Sequence, residues 1–289
     1  MITIKTPATS ANVGPGFDCL GLALELFNTF EVELSHEDFL ENVEERFNNS
    51  NNLFLIAWHS GCKKIGKDDH VHAIFHTEIP VSRGLGSSSS LIVAGVTAAS
   101  ILHNKALSKD EIFQISAELE GHPDNVAPCI YGGLTASLME NNVFKAISLP
   151  VHESWKFTGF IPNFEVSTEK ARAILPDSYP RKEAAGNTAH AVYMLKGLET
   201  GDTDLLTFGK KDYIHEPYRR KLLPFFDRLQ KEYEKNTDGI LLISGSGSTC
   251  IGISKKYMDT EKEEHILSEE TGMKILHLPV CYGGSFYEK

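Results

Sequence analysis

Long apolar runs, paired cysteines and an excess of positive charge are all missing from this chain of 289 residues. Its longest apolar stretch, residues 91–102, is too short to cross a bilayer and is interrupted by Gly95, Thr97 and Ser100, so no membrane segment is expected. The five cysteines (Cys19, Cys62, Cys129, Cys250, Cys281) are odd in number, scattered and without a C-x-x-C pair. That argues against a disulfide framework or a cysteine zinc site and points to reduced thiols. The first residues, MITIKTP, lack the charged-then-apolar profile of a secretory signal, so a soluble cytoplasmic protein is expected. Lys and Arg number 28 against 39 Asp and Glu, a formal net charge of −11. Most of the surface then repels a nucleic-acid backbone, and an anionic ligand has to be met by locally gathered positive groups. Internal repeats, heptad stripes and low-complexity segments are also absent. What remains is an ordinary globular composition, 41% hydrophobic and 23% charged, with room for one large domain or two smaller ones.

Against this background one stretch stands out: Pro80-Val81-Ser82-Arg83-Gly84-Leu85-Gly86-Ser87-Ser88-Ser89-Ser90. Gly84 and Gly86 allow a sharp turn and a close backbone approach to another molecule. Four hydroxyls follow, then the apolar run, which reads as a buried, Ser-capped helix. A Gly-rich loop feeding a helix start gathers free N–H groups and the positive end of the helix dipole, a site suited to phosphate. The plainer alternative is a strand-to-helix turn with a Ser cap. A second candidate, residues 61–68, nearly matches G-x-x-x-x-G-K-[ST], but Asp68 stands where a hydroxyl is needed and the segment follows a helix; a solvated Lys-rich turn is expected.

Two further clusters carry potential chemistry. The loop Thr9-Ser10-Ala11-Asn12-Val13-Gly14-Pro15-Gly16-Phe17-Asp18 sets Asn12 and Asp18 on a backbone shaped by Gly and Pro. Farther on, Glu118, Glu120, His122, Asp124 and Asn125 crowd the end of a helix stopped by Gly121 and Pro123. Acids at a helix C-terminus oppose the dipole, so a positive partner is expected, with Mg²⁺ the economical choice beside a phosphate loop; a solvated turn is the alternative. His70, His72 and His76 share one strand face but are spaced too widely for one ion, and are expected as partly exposed strand histidines.

Elsewhere the pattern gives a strand at residues 2–4 ending at Pro7, two strands within 20–34, and a helix over 51–60 capped by Asn51 or Asn52. A capping box, Ser108 to Glu111, starts a helix ending near Glu120. Strands follow at 134–139 and 143–149, with a soft boundary at 150–155. The second half offers a strand at 156–161, a Ser167-capped helix, helices at 183–199, 203–212 and 217–234, and a strand at 240–243. That strand leads into Ser244-Gly245-Ser246-Gly247-Ser248-Thr249; a strand at 250–253, a helix at 259–271 and a strand at 274–279 finish the chain. The mixed order of strands and helices favours an α+β fold.

Three motifs in order, the 12–18 loop, the 80–90 loop and the 244–247 turn, resemble those of the GHMP kinases, and the likeness spans nearly the whole chain. Within that family the stretches 9–18, 122–128, 167–172 and 216–219 are most similar to the branch that phosphorylates homoserine. Ser89-Ser90 stands where the family often has alanines, and Ser248 where it often has proline. The resemblance implies an N-terminal domain of ribosomal-S5-like type (1–152) that binds ATP and a ferredoxin-like C-terminal domain (153–289) that completes the substrate site. It implies ATP-dependent phosphorylation of the side-chain hydroxyl of L-homoserine, feeding threonine synthesis. Another GHMP small-molecule kinase, such as one acting on mevalonate, or a non-catalytic binding or regulatory protein of the same fold, is the alternative. Residues 80–90 would wrap the ATP phosphates, Asn52 would lie near the adenosine, and Ser88 and Glu120 would hold Mg²⁺, with Glu118 the fallback. Arg172 and Arg219 would grip the substrate carboxylate. Asp18 and Asn12 would meet its ammonium or hydroxyl, and His122, Asp124, Asn125, Thr168 and Gly247, with Ser246, would line or close the pocket. A homodimer is compatible with this reading.

Overall fold

A computed structural model describes residues 1–269 and 272–288. The first strand, β1 (Ile2–Ala11), pairs antiparallel with β2 (Leu20–Ser35), which also pairs with β4 (His70–Thr77) and β5 (Leu134–Glu140). A short β3 (Phe39–Glu41) runs parallel to β4, and β6 (Val143–Leu149) extends the sheet from β5. Between these strands come α1 (Leu53–Lys64), α2 (Ser87–Leu102), α3 (Lys109–Glu120) and α4 (Val126–Tyr131). A second sheet is built from β7 (Lys156–Ile161), β8 (Ile240–Ile243), β9 (Cys250–Ser254) and β10 (Lys274–His277), in the order β10-β7-β9-β8. Its helices are α5 (Thr168–Ala173), α6 (Arg181–Thr200), α7 (Thr203–Gly209), α8 (Glu216–Arg219), α9 (Phe226–Asn236) and α10 (Thr260–Glu269). The chain then returns to the first sheet, where β11 (Phe286–Glu288) pairs with β1. This is the expected α+β architecture, with two sheets.

Several local expectations change. The strand at the N-terminus does not end at Pro7. It continues to Ala11, and Pro7 sits where the register against β2 slips, a place that tolerates a missing N–H. The same irregularity lets β2 run as one strand instead of two, because Glu25 and Leu26 lie between the paired segments. The helix expected over 217–234 is divided into α8, a 3₁₀ turn (Arg220–Leu222) and α9, with Pro224 at the break. The helix expected over 203–212 stops at Gly209, and the strand expected to run to 279 ends at His277. The helix over 259–271 is α10 as far as Glu269; residues 270 and 271 lie outside the described residues. The short α4 was not expected, since Pro128 near its start reads as a breaker although a first turn accommodates it.

The core explains how the site is held. Phe30 and Phe75 from the sheet meet Phe54 and Trp58 from α1, all buried, with Phe30 and Phe54 stacked at 5.6 Å between centroids. Each such ring contributes about 1.5–3 kcal/mol through burial. Gly95 lets α2 press against α1; a Cβ there would lie 2.3 Å from the Phe54 carbonyl oxygen. A second cluster, including Leu22, Leu85, Phe157, Met194 and Leu242, joins the two sheets and seats the loops between them.

Candidate active site

A cleft of about 610 Å³ opens between the segments that carry the three sequence motifs. One wall is the 80–90 loop. Ser82, Gly84 and Gly86 adopt left-handed backbone conformations (φ +54, +74 and +70°). At Gly86 a Cβ would sit 1.9 Å from Thr9 Oγ1, and at Gly84 2.2 Å from the Ser244 carbonyl oxygen, so both glycines are required by packing as well as by φ. The loop is tied to both sheets: Thr9 N–H donates to the Leu85 carbonyl at 3.1 Å and Thr249 N–H to the Arg83 carbonyl at 3.0 Å. The helix cap is Gly86 itself and not a serine, a correction to the Ser-capped reading; Ser87 is the first helical residue. The first helical bond runs from Ser90 N–H to the Gly86 carbonyl at 2.9 Å, so the N–H groups before it precede the intrahelical ladder.

The C-terminal end of α3 brings an acid to this helix start. Glu120 Oε1 accepts from Ser88 Oγ at 2.5 Å and from Ser89 Oγ at 2.9 Å. Of the two acids named as metal candidates, Glu120 lines the cleft, whereas Glu118 is exposed and outside it. Gly121, at φ +85°, ends the helix and turns the chain toward His122, Asp124 and Asn125, all of which line the cleft. Asn125 Oδ1 accepts from Thr9 Oγ1 at 2.8 Å. Asp124 is almost fully buried, with Oδ1 3.4 Å from His122 Nδ1, and neither atom makes a well-aligned hydrogen bond. The Asp124 carboxylate raises the His122 pKa above its ordinary value, against the opposing effect of burial.

Across the cleft stand the two arginines. Arg172 on α5 forms a two-point ion pair with Asp18, Nη1 to Oδ2 and Nη2 to Oδ1, each 2.9 Å. This bond and the Asp18 charge hold the Arg172 pKa up. Arg219, only 2% exposed, donates from Nε to the Ala171 carbonyl and from Nη1 to the Gly245 carbonyl, at 3.1 and 2.9 Å. Burial first, then the Arg172 charge, lowers its pKa to about 10. Phe17 lies beneath both guanidinium groups, 5.7 Å from Arg172 and 5.1 Å from Arg219, with His215 stacked on it at 5.5 Å. Asn12 braces this corner: its Nδ2 donates to the Gly245 carbonyl and its Oδ1 accepts from Asp18 N–H, at 3.0 and 3.1 Å.

The sequence-selected residues therefore sort by position. Asn12, Asp18, Asn52, Val81, Ser82, Arg83, Gly84, Gly86, Ser87, Ser88, Glu120, His122, Asp124, Asn125, Thr168, Arg172 and Arg219 all line the cleft. Asn52 caps α1, accepting from Phe54 N–H and donating to the Phe47 carbonyl, both at 2.9 Å. Leu85 is buried in the core between the sheets, and Pro80 borders a separate hollow with Asn163 and Lys274. Ser89 and Ser90 are buried; Ser90 Oγ donates to the Ser87 carbonyl at 2.8 Å and accepts from Asn28 at 2.7 Å. Gly247 packs toward Leu223 and Ile243, so Gly245 and Ser246 form that wall of the cleft. Sequence reasoning missed Phe17, whose signal was an aromatic ring in a polar Gly-Pro loop. It also missed the wall from Asn42 to Asn51, which carries no local motif.

Known proteins of the same kind reach along almost the whole chain. Residues 52–133 match the model of the GHMP kinases N terminal domain. The homoserine kinase of Clostridium botulinum (strain ATCC 19397 / Type A) is 42% identical over 254 residues, covering 87% of this chain and 85% of that protein. The homoserine kinase of Clostridium beijerinckii is 39% identical over 258 residues, covering 88% and 86%. The crystal structure of homoserine kinase from Cytophaga hutchinsonii superposes with a TM-score of 0.87 at 27% identity, covering 99% of this chain and 97% of that one. A cleft with a phosphate-type loop on one side and paired arginines on the other is thus found in a chain that belongs to the homoserine kinases, within the GHMP kinase family.

Proposed function

We propose that the protein transfers the γ-phosphoryl group of ATP to the side-chain hydroxyl of L-homoserine, giving ADP and O-phospho-L-homoserine for threonine synthesis. The observation that carries this reading is the opposition, in one cleft, of the open N-terminus of α2 and the Asp18–Arg172–Arg219 group. The 81–88 backbone and the start of α2 receive the triphosphate, while the wall around Asn52 and Phe47 accommodates the nucleoside. Arg172 and Arg219 receive the amino-acid carboxylate, for which a planar guanidinium is suited. Asp18 receives the ammonium, with Asp124 adding negative charge nearby. Asn12 braces Asp18; His122, Asn125 and Thr168 shape the pocket.

Glu120 and Ser88 suit Mg²⁺, because they present hard oxygen donors and Glu120 Oε1 already gathers two hydroxyls at the helix start. When bound, Mg²⁺ neutralises charge on the phosphate oxygens. The homoserine oxygen bonds to the γ-phosphorus as the bond to the β–γ bridging oxygen breaks; ADP leaves with that oxygen, and the hydroxyl proton passes to solvent water. Positioning and charge stabilisation supply most of such a reaction, so the Asp18–Arg172 pair acts chiefly by orientation.

Incubation with MgATP and L-homoserine tests this, with ADP counted enzymatically and the product examined by phosphorus NMR. The expected result is one phosphate monoester per ADP. ADP release without the ester, or no release, would contradict the proposal.

A further inference from the structure

The histidines of β4 do not act together: each finds a separate partner. His72 contacts Glu33 and Glu41, at 3.2 and 2.7 Å, and His76 contacts Glu31 at 3.1 Å. His70 turns to a different group, formed with Asp38 before β3 and His59 on α1. His59 Nε2 lies 2.7 Å from Asp38 Oδ2, and His70 Nδ1 lies 3.2 Å from Asp38 Oδ1. One ligand atom from each of the three residues fits within 4.8 Å of the other two. The 2.7 and 3.2 Å contacts go to different Asp38 oxygens. The spread of up to 4.8 Å within a single donor set exceeds the roughly 3.3 Å between neighbouring donors around a tetrahedral ion with ligand bonds of 2.0–2.1 Å, a difference that rotation of the two partly exposed histidines would close.

We propose that Asp38, His59 and His70 form a surface site for a borderline divalent cation, Zn²⁺ being the best fit. Two imidazoles and one carboxylate match the ligand preference of zinc and not that of Mg²⁺, which favours oxygen donors and waters. The carboxylate is already oriented, since Val71 N–H donates to Asp38 Oδ1 at 3.1 Å. Both histidine side chains are partly exposed, at 39% and 49%, leaving solvent access for the ion and for water in the fourth position. Asp38 lies just before β3, His59 on α1 and His70 on β4. A bound ion would therefore staple the approach to β3 to α1 and β4. The stretch after β3, Asn42 to Asn51, forms the outer wall of the cleft, so the staple sits at the root of that wall.

Titration with Zn²⁺ in excess Mg²⁺ tests the site by calorimetry, with Co²⁺ absorption identifying the donors. The wild-type protein is expected to bind one equivalent, and Co²⁺ should give a tetrahedral nitrogen–oxygen spectrum without thiolate charge transfer. His59→Ala and Asp38→Asn should each weaken this binding about 100-fold or more, while His72→Ala should retain it. Circular dichroism melts of each variant establish that it is folded. The proposal is overturned by absence of saturable Zn²⁺ binding in the wild type, by retention in folded His59→Ala, or by a thiolate signature in the Co²⁺ complex.

Discussion

Asp18 and Arg172 stand 154 residues apart in sequence and meet through two parallel hydrogen bonds of 2.9 Å across the cleft. The pair holds a negative and a positive group side by side, at the place proposed above for the substrate's ammonium and carboxylate. Asp18→Asn should raise the KM for homoserine and lower kcat/KM about 100-fold while leaving the KM for ATP within about twofold. Arg172→Ala should do the same, and the double variant should be little worse than either single one, because the two act as a unit. Steady-state kinetics with each substrate varied in turn checks this; additive losses would separate their roles.

Glu120 receives two serine hydroxyls at the start of α2. Glu120→Gln keeps the shape and removes the charge. It should raise the Mg²⁺ concentration for half-maximal rate about 10–100-fold, whereas Glu118→Gln, on the exposed side of α3, should leave it unchanged. A magnesium titration at saturating ATP and homoserine makes the comparison.

Gly86 is fixed by its φ of +70° and by the 1.9 Å approach that a Cβ would make to Thr9 Oγ1. Gly86→Ala should lower stability by about 2 kcal/mol and weaken ATP binding, read from urea unfolding and calorimetry. Gly121 has φ +85° but no neighbour within 4 Å of a Cβ. Gly121→Ala should therefore cost less, through backbone strain alone.

Glu216 supplies a pH test. Its side chain accepts from Ile243 N–H at 2.7 Å, yet burial is the largest influence and lifts its pKa from 4.5 to about 8. The folded protein thus holds a proton that the unfolded chain releases near pH 4.5. By linkage, this group favours folding below that pH and progressively less as pH rises through about 8. Glu216→Gln should remove that slope: stability relative to wild type should increase between pH 5 and pH 8 in urea titrations. A constant difference across that range would contradict the raised pKa.

Local chemistry made much of this site legible in the chain. The Gly84/Gly86 turn, the Ser108–Glu111 capping box and the helix end at Glu120 act over a few residues and form where their residue types direct, although the serine string follows the cap at Gly86 instead of supplying it. Nonlocal relationships were not legible. Nothing near Asp18 announces Arg172, and the aromatic floor at Phe17 depends on His215 arriving from the second half. The single long β2 was hidden by a bulge whose cause lies in β1. The gathering of Asp38, His59 and His70 requires three elements to pack, while the sequence displays only the His70, His72 and His76 alternation. Gly247 reads as an equal member of its turn, but the packing of Leu223 and Ile243 faces it away from the cleft.

The central claim is that the Asp18–Arg172–Arg219 group selects a hydroxyl substrate by its ammonium and carboxylate together. The direct measurement compares kcat/KM for L-homoserine, 4-hydroxybutyrate, 3-aminopropanol and mevalonate with MgATP. Efficient turnover of homoserine alone is expected, with losses of about 100-fold or more when either charged group is missing. Equal turnover of 4-hydroxybutyrate, or preferential turnover of mevalonate, would contradict it.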